Sequence, residues 1–342
     1  DVTPPAITRV AGNRNFDRIV VTFSEPMNAA ARTASYYTFN PPLTVSGVTA
    51  NADGTEFTLT TSQQAQGAEY TLTMNSAVKD TAGLDLVSTT KAFYSVMFNP
   101  NMAKRKVFSP TDVGDHPTIA NWVIGASGTP PLYYQETISG LLETSDYGDA
   151  LNDFSQRVWG WLKPPETGTY YFYMGNDDSG RIYLSTDDNP ANLDTANPVA
   201  GHNGWGERRM WLQYHEWAND ATQTYDQSIK LPAYLEANKY YYFVATCREG
   251  GGGDYITMTW QLPSVFEAPA NYTAPVLTGD YFGLFLDPNL SSVTFSQQPQ
   301  SQSVPVNHKA TFTVEATGAS EFGGALSYQW QKGGVNIDGA TS

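Results

Sequence analysis

Gly175-Asn176-Asp177-Asp178-Ser179-Gly180 lies between two aromatic-rich strand candidates, Thr169-Tyr-Tyr-Phe-Tyr-Met174 and Arg181-Ile-Tyr-Leu184. Asn, Asp, Ser and Gly are turn residues, so the stretch reads first as the polar turn of a β-hairpin. Two consecutive carboxylates add something that a turn does not need. At about 4–5 Å apart they repel by roughly 3–4 kcal/mol at an effective dielectric near 20, a cost that a cation between them removes. Oxygen-only ligands favour calcium over zinc. On these six residues alone, polar turn and cation site both remain open.

The same alternation continues outward. Short Val, Ile, Thr, Tyr and Phe runs are separated by Gly, Pro, Asn and Asp clusters along the chain, which predicts an all-β, multidomain protein. Asn51-Ala-Asp-Gly-Thr55 before Phe57-Thr-Leu-Thr60 marks a turn into a half-buried strand. Helical character is confined to Glu25-Pro-Met-Asn-Ala-Ala-Ala-Arg32, where Ser24 is placed to cap and Pro26 suits the first turn.

The length of 342 residues fits two to three domains. Against 19 Lys and Arg stand 34 Asp and Glu, a net charge of −15 that argues against nucleic acid and anionic membrane surfaces as partners and leaves calcium or neutral glycans as easier ones. No apolar run reaches the eighteen or so residues of a membrane span. The single Cys247 excludes an intramolecular disulfide and a Cys-based zinc site, and reads as a small buried apolar residue. The opening Asp1-Val-Thr-Pro-Pro5 reads as the start of a mature or excised segment.

Further motifs surround the Asp pair: Arg157-Val-Trp-Gly-Trp-Leu-Lys-Pro-Pro-Glu-Thr-Gly-Thr-Tyr170, Leu184-Ser-Thr-Asp-Asp-Asn-Pro190, Lys239-Tyr-Tyr-Tyr-Phe-Val-Ala245, Glu249-Gly-Gly-Gly-Gly-Asp254 and Ile256-Thr-Met-Thr-Trp260. In this order they resemble the protective-antigen-type (PA-fourteen) β-sandwich of bacterial toxins, yeast adhesins and modules of bacterial glycosidases, over about residues 107–288. The resemblance implies that Asp177 and Asp178 are joined by a cis peptide and bind calcium, which in turn holds sugar hydroxyls. Where the yeast lectins add an Asn from a second loop, this chain offers Asp254 as the further metal ligand.

Residues 1–98 resemble a bacterial Ig-like module through Ile19-Val-Val-Thr-Phe-Ser-Glu-Pro-Met27, Tyr37-Thr-Phe39, Tyr70-Thr-Leu-Thr-Met74 and Val78-Lys-Asp-Thr-Ala-Gly83. Its family role is spacing and display, and Asp80 and Asp85, at turn positions beside Gly83, read as solvated turn formers. Residues 99–290 hold the PA-fourteen-type sandwich with its linkers. Residues 291–342 resemble the opening strands of another Ig-like domain, with Trp330 as its core Trp; the missing strands are expected from continuation of the polypeptide or from a neighbouring copy of the chain.

For the ligand face, Gly201-His-Asn-Gly-Trp-Gly-Glu-Arg-Arg-Met-Trp-Leu-Gln-Tyr-His-Glu-Trp217 interleaves three Trp with charged residues. A Trp face covering about 100 Å² of sugar contributes roughly 2.5 kcal/mol. Trp205, flanked by glycines, is the platform expected for carbohydrate; Trp211 and Trp217 read as pins for the loop, and His202 and His215 as surface residues. Sugar hydrolysis needs two carboxylates across the bond, for which Glu207 with Glu216 or Glu249 with Asp254 are nominees. No nucleophile elbow, metal triad or room for a catalytic domain accompanies them. The expectation is a non-catalytic, secreted or cell-surface protein that binds calcium and a glycan; the alternatives are a structural stalk, S-layer or fibre subunit, and an accessory part of a glycoside hydrolase.

Overall fold

Alternating burial organises the first hundred residues. The structure, a computed structural model, describes residues 2–108, 132–144, 154–202, 204–211, 229–290, 292–306, 308–319 and 328–341. Strands β1 (Ile7–Gly12), β2 (Arg18–Phe23), β4 (Val45–Ala50) and β5 (Glu56–Thr61) form a sheet in the order β1-β2-β5-β4. A second sheet, in the order β3-β6-β7, is made of β3 (Tyr37–Asn40), β6 (Glu69–Met74) and β7 (Thr90–Tyr94). Every second residue turns inward, so Ile19, Val21, Phe23, Phe57 and Leu59 meet Tyr37, Phe39, Tyr70, Leu72 and Phe93 in one core. Seven antiparallel strands in two facing sheets make an Ig-type sandwich.

The turn before β5 forms as expected: Asn51 Oδ1 accepts from the amides of Thr55 and Glu56, both at 3.0 Å, and Gly54 takes φ +68°. The helix expected over Glu25–Arg32 does not form. Pro26 O and the Met27 amide bond to Thr81 and Gly54, Met27 bridges Asp80, and only Ala29–Arg32 coils, as a 3-10 turn. These tertiary bonds take the backbone groups that a helix needs, and eight residues are too few to nucleate against them. Ser24, instead of capping, accepts from the Ala6 amide at 2.9 Å. Asp80 forms its turn, Oδ1 receiving the Leu84 amide at 2.7 Å, but it is buried and not solvated, because its backbone bridges Met27; Asp85 pairs with Lys79 at 2.8 Å.

The chain divides into two compact units, Asp1–Met97 with Leu286–Ser342, and Phe98–Phe285. In the second, a large sheet runs β10 (Leu132–Ser139), β9 (Met102–Phe108), β11 (Phe154–Leu162), β17 (Tyr241–Glu249), β13 (Ser179–Leu184), β14 (Ala200–His202), β15 (Ile229–Lys230). β19 (Phe282–Leu286) adds to β11 and to β8 (Met97–Pro100). A small sheet runs β16 (Ala233–Leu235), β12 (Gly168–Asn176), β18 (Ile256–Gln261). Val158, Leu162, Ile182, Leu184, Phe243 and Ala245 of the large sheet share a core with Phe172, Met174, Met258 and Trp260 of the small one. The C-terminal stretch forms two two-stranded ribbons, β20 (Ser292–Gln297) with β21 (Glu315–Ala319) and β22 (Gln331–Lys332) with β23 (Val335–Asn336). Trp330 is half-buried there, 6.4 Å from Phe312 between ring centroids. Among the described residues no helix is long and apolar enough to cross a membrane.

The topology decides where the Asp pair sits. β12 belongs to the small sheet and β13 to the large one, so Asp177-Asp178 is a corner between sheets, not the turn of a hairpin. The link from β17 to β18, which contains the glycine run, passes between the same two sheets at the same end. Asp178 N donates to Arg248 O at 2.9 Å and Asp177 N to Tyr255 O at 3.2 Å, tying one corner to the other.

Candidate metal centre

Strand parity carries an acid into this corner. Tyr241, Phe243, Ala245 and Cys247 are the inward residues of β17, and the next position of that parity, at the strand's end, is Glu249, fully buried. Its carboxylate meets those of Asp177 and Asp178, with one oxygen of each within 4.8 Å of the others. The peptide between the two aspartates is cis. Burial first, then the charges of Asp178, Asp177 and Asp254, push the Glu249 carboxyl up to about 9, with the Gly251 amide pulling weakly the other way. Among the described residues, neither Glu249 oxygen has a hydrogen-bond partner of good geometry, and Asn176 Oδ1, buried beside the pair, has none either.

The glycine run lets the backbone close over these acids. Gly250 N donates to Asp178 Oδ2 at 2.9 Å, and a Cβ built on Gly253 would meet Asp177 Oδ2 at 2.6 Å. Gly253→Ala should therefore displace that carboxylate, and press on the buried Tyr255 ring 3.2 Å from the same Cβ, weakening calcium binding by about tenfold or more. Calcium titration of the variant by calorimetry checks this, and unchanged affinity would remove the glycine from the argument.

Cys247 behaves as expected of a buried apolar residue. Its thiol donates to Asp177 O at 3.0 Å, and burial, then the charges of Glu249, Asp177 and Asp178, hold its pKa well above the ordinary value. A thiol kept protonated is no metal ligand, so the donor set is oxygen alone. Calcium takes about 6–8 oxygens and tolerates irregular geometry. Three carboxylates giving one oxygen each leave positions for other oxygen donors. The orphaned Glu249 oxygens and the all-oxygen set fit calcium.

Sequence reasoning reached two of these three carboxylates. Asp254, expected as the further ligand, is buried nearby but lies outside the group of three, and its backbone carbonyl accepts from Gln156 Nε2 at 2.9 Å. Glu249 entered the sequence reading only as half of a hydrolytic pair. The signal that could have found it is the parity itself, an acid closing a row of inward apolar residues.

Trp205 is brought to the same corner. Gly204 N donates to Ser179 Oγ at 3.2 Å and Gly206 N to Asn176 O at 3.0 Å, so the residues on either side of Trp205 bond to those on either side of the Asp pair. Trp205 itself is half-buried. Beyond it, Glu143 binds Arg208 Nη2 at 2.6 Å and Arg209 Nε at 2.8 Å, and Tyr272 OH donates to Glu207 at 2.6 Å. Trp211 is buried in the core. His215, Glu216 and Trp217 lie outside the described residues, as does the His202 side chain.

Comparison with known proteins completes the description. The family model of the bacterial Ig-like domain matches residues 1–105, and that of the PA14 domain residues 134–270. No curated protein matches the chain in sequence. Among solved structures, the epithelial adhesin 6 A domain of Candida glabrata, in complex with Galβ1-3GlcNAc, is 15% identical over 54% of this chain and 87% of its own, with a TM-score of 0.34. An anti-sigma factor domain-containing protein from Clostridium clariflavum is 12% identical over 82% and 83%, TM-score 0.32. The N-terminal part of the bacterial S-layer protein SbsC is 17% identical over 46% and 40%, TM-score 0.25. Likenesses of this size fix no function. Residues 1–105 are a bacterial Ig-like domain, and residues 134–270, which carry the three clustered carboxylates, are a PA14 domain.

Proposed function

We propose that the PA14 domain is a calcium-dependent carbohydrate-binding module, without catalytic activity, in a secreted or cell-surface protein. The observation that carries this reading is the convergence of Asp177, Asp178 and Glu249, side chains from two separate corners, on one small volume. Burial and the two aspartate charges oppose ionisation of Glu249; a divalent cation that displaces its proton turns that opposition into attraction. In this reading the three acids hold the ion and Trp205 offers an apolar face beside it. When bound, calcium supplies open coordination positions for vicinal sugar hydroxyls. The domain families support the extracellular setting.

The test is a glycan array probed with the full chain in calcium and again in chelator. Retention is expected only in calcium, and Trp205→Ala should weaken it about tenfold or more, since losing a stacking face of about 100 Å² removes roughly 2.5 kcal/mol, while the melting temperature stays within a degree or two. An array blank in calcium would leave a structural stalk or fibre subunit, and release of reducing sugar from any glycan would bring back the hydrolase reading.

A further inference from the structure

Glu143 lies on the segment beside β18 and anchors the loop that carries Trp205. That segment is itself fixed: Leu142 is part of the core, Met258 N donates to Leu142 O at 3.2 Å, and Thr144 N donates to Ile256 O at 2.9 Å. The Glu143 side chain, only 10% exposed, takes both arginines of the loop. Arg209 binds it with two nitrogens, Nε to Oε2 at 2.8 Å and Nη2 to Oε1 at 3.2 Å. Arg208 Nη2 reaches Glu143 Oε1 at 2.6 Å and Thr144 O at 2.8 Å. A two-pronged arginine–carboxylate pair fixes direction as well as distance.

The loop is held in a conformation that it would not keep unaided. Arg209 takes φ +61°, the left-handed region that a non-glycine residue keeps only where its surroundings over-determine it. The Glu143 fork does so through the side chain, and Tyr272 N through the backbone, donating to Arg209 O at 2.8 Å. The loop also lies directly on β12, where a Cβ built on Gly175 would be 3.1 Å from Arg209 N and 3.5 Å from Glu207 O. On the other side of Trp205, toward the carboxylate corner, Gly206 O accepts from Tyr255 OH and Gly206 N donates to Asn176 O. Global stability does not call for the arginine clamp. Arg208 and Arg209 keep 37% and 39% of their side chains exposed, and ion pairs in that much water add little to stability. What they supply is local order.

We propose that Glu143 is a positioning residue of the carbohydrate site. By holding Arg208 and Arg209 it orders residues 204–211, so that a sugar meeting Trp205 does not bear the entropy of fixing its platform. The inference rests on the glycan reading above and adds to it a residue outside the three clustered acids, acting through the loop and not through the ion.

Hydrogen exchange of the full chain, read by mass spectrometry, tests the clamp without any sugar. Glu143→Gln, which keeps the shape and removes the charge, is expected to speed exchange in residues 204–211 about tenfold, with β12 and β17 unchanged. On a glycan that the native chain retains in calcium, the same variant should bind about tenfold more weakly, while the calcium-induced rise in melting temperature stays as in the native chain. Arg209→Lys, which keeps the charge and loses the fork, should fall between the two. Unchanged exchange in residues 204–211, or exchange that rises equally in β12 and β17, would overturn the clamp. Faster loop exchange with undiminished glycan retention would overturn the positioning role, and so would loss of the calcium response, which would tie Glu143 to the metal centre instead. An array blank for the native chain is the failure of the glycan reading, visible before any variant is made; it removes the positioning role as well and leaves exchange to decide whether Glu143 holds the loop.

Discussion

Calcium added to chelator-stripped protein is expected to raise the melting temperature of the Phe98–Phe285 unit by about 5–10 °C, and Asp177→Ala to abolish the rise. An ion that binds only the folded state adds roughly 2.7 kcal/mol at a hundred times its dissociation constant, and a domain of this size moves by about 2–4 °C per kcal/mol. The size of the effect depends on pH in a definite direction. Glu249 titrates in the folded, metal-free chain at about 9, against an ordinary 4.5. A carboxyl whose folded pKa is raised stabilises the fold below 4.5 and loses that contribution as pH climbs through 9, so the metal-free protein should melt lower at pH 9 than at pH 6. Calcium must displace the same proton, so its affinity should rise by about tenfold per pH unit between 7 and 9. Glu249→Gln should flatten the metal-free pH dependence and remove most of the calcium response. Differential scanning fluorimetry across pH, with and without calcium, measures all of this; melts indifferent to calcium at pH 8 would refute the metal centre.

The second large effect separates two tryptophans six residues apart. Trp211 is 1% exposed and part of the core of the second unit, whereas Trp205 is half-buried at the carboxylate corner. Trp211→Ala should cost about 3–5 kcal/mol, as large-to-small substitutions of buried aromatics do, and lower the melting temperature by about 10 °C. Trp211→Phe should cost much less, because the indole N–H is buried with no acceptor among the described residues and its removal relieves that penalty. Trp205→Ala should leave the melt nearly unchanged. Equal melts for Trp205→Ala and Trp211→Ala would show that the two side chains are not divided between platform and core.

Most of the architecture was legible because strand parity is a local signal. Phe57 and Leu59, or Phe243 and Ala245, announce a buried face within a few residues of sequence. The Asp pair was legible for the same reason, its two members being adjacent in the chain. Glu249 was not seen as a ligand because it lies more than seventy residues from Asp177, and only the pairing of β13 with β17 brings them together. The Glu25–Arg32 stretch misled in the opposite sense. Its alanines favour a helix locally, but bonds to Gly54 and Thr81, unreadable from propensity, hold the backbone elsewhere.

The corner arrangement has a mechanical meaning. Two chain crossings between the sheets, Asp177-Asp178 and the glycine run after Glu249, meet where the three acids gather. A calcium ion held by all three would rivet these crossings together at the rim of the sandwich, and the force needed to part the sheets would then rise with the calcium concentration.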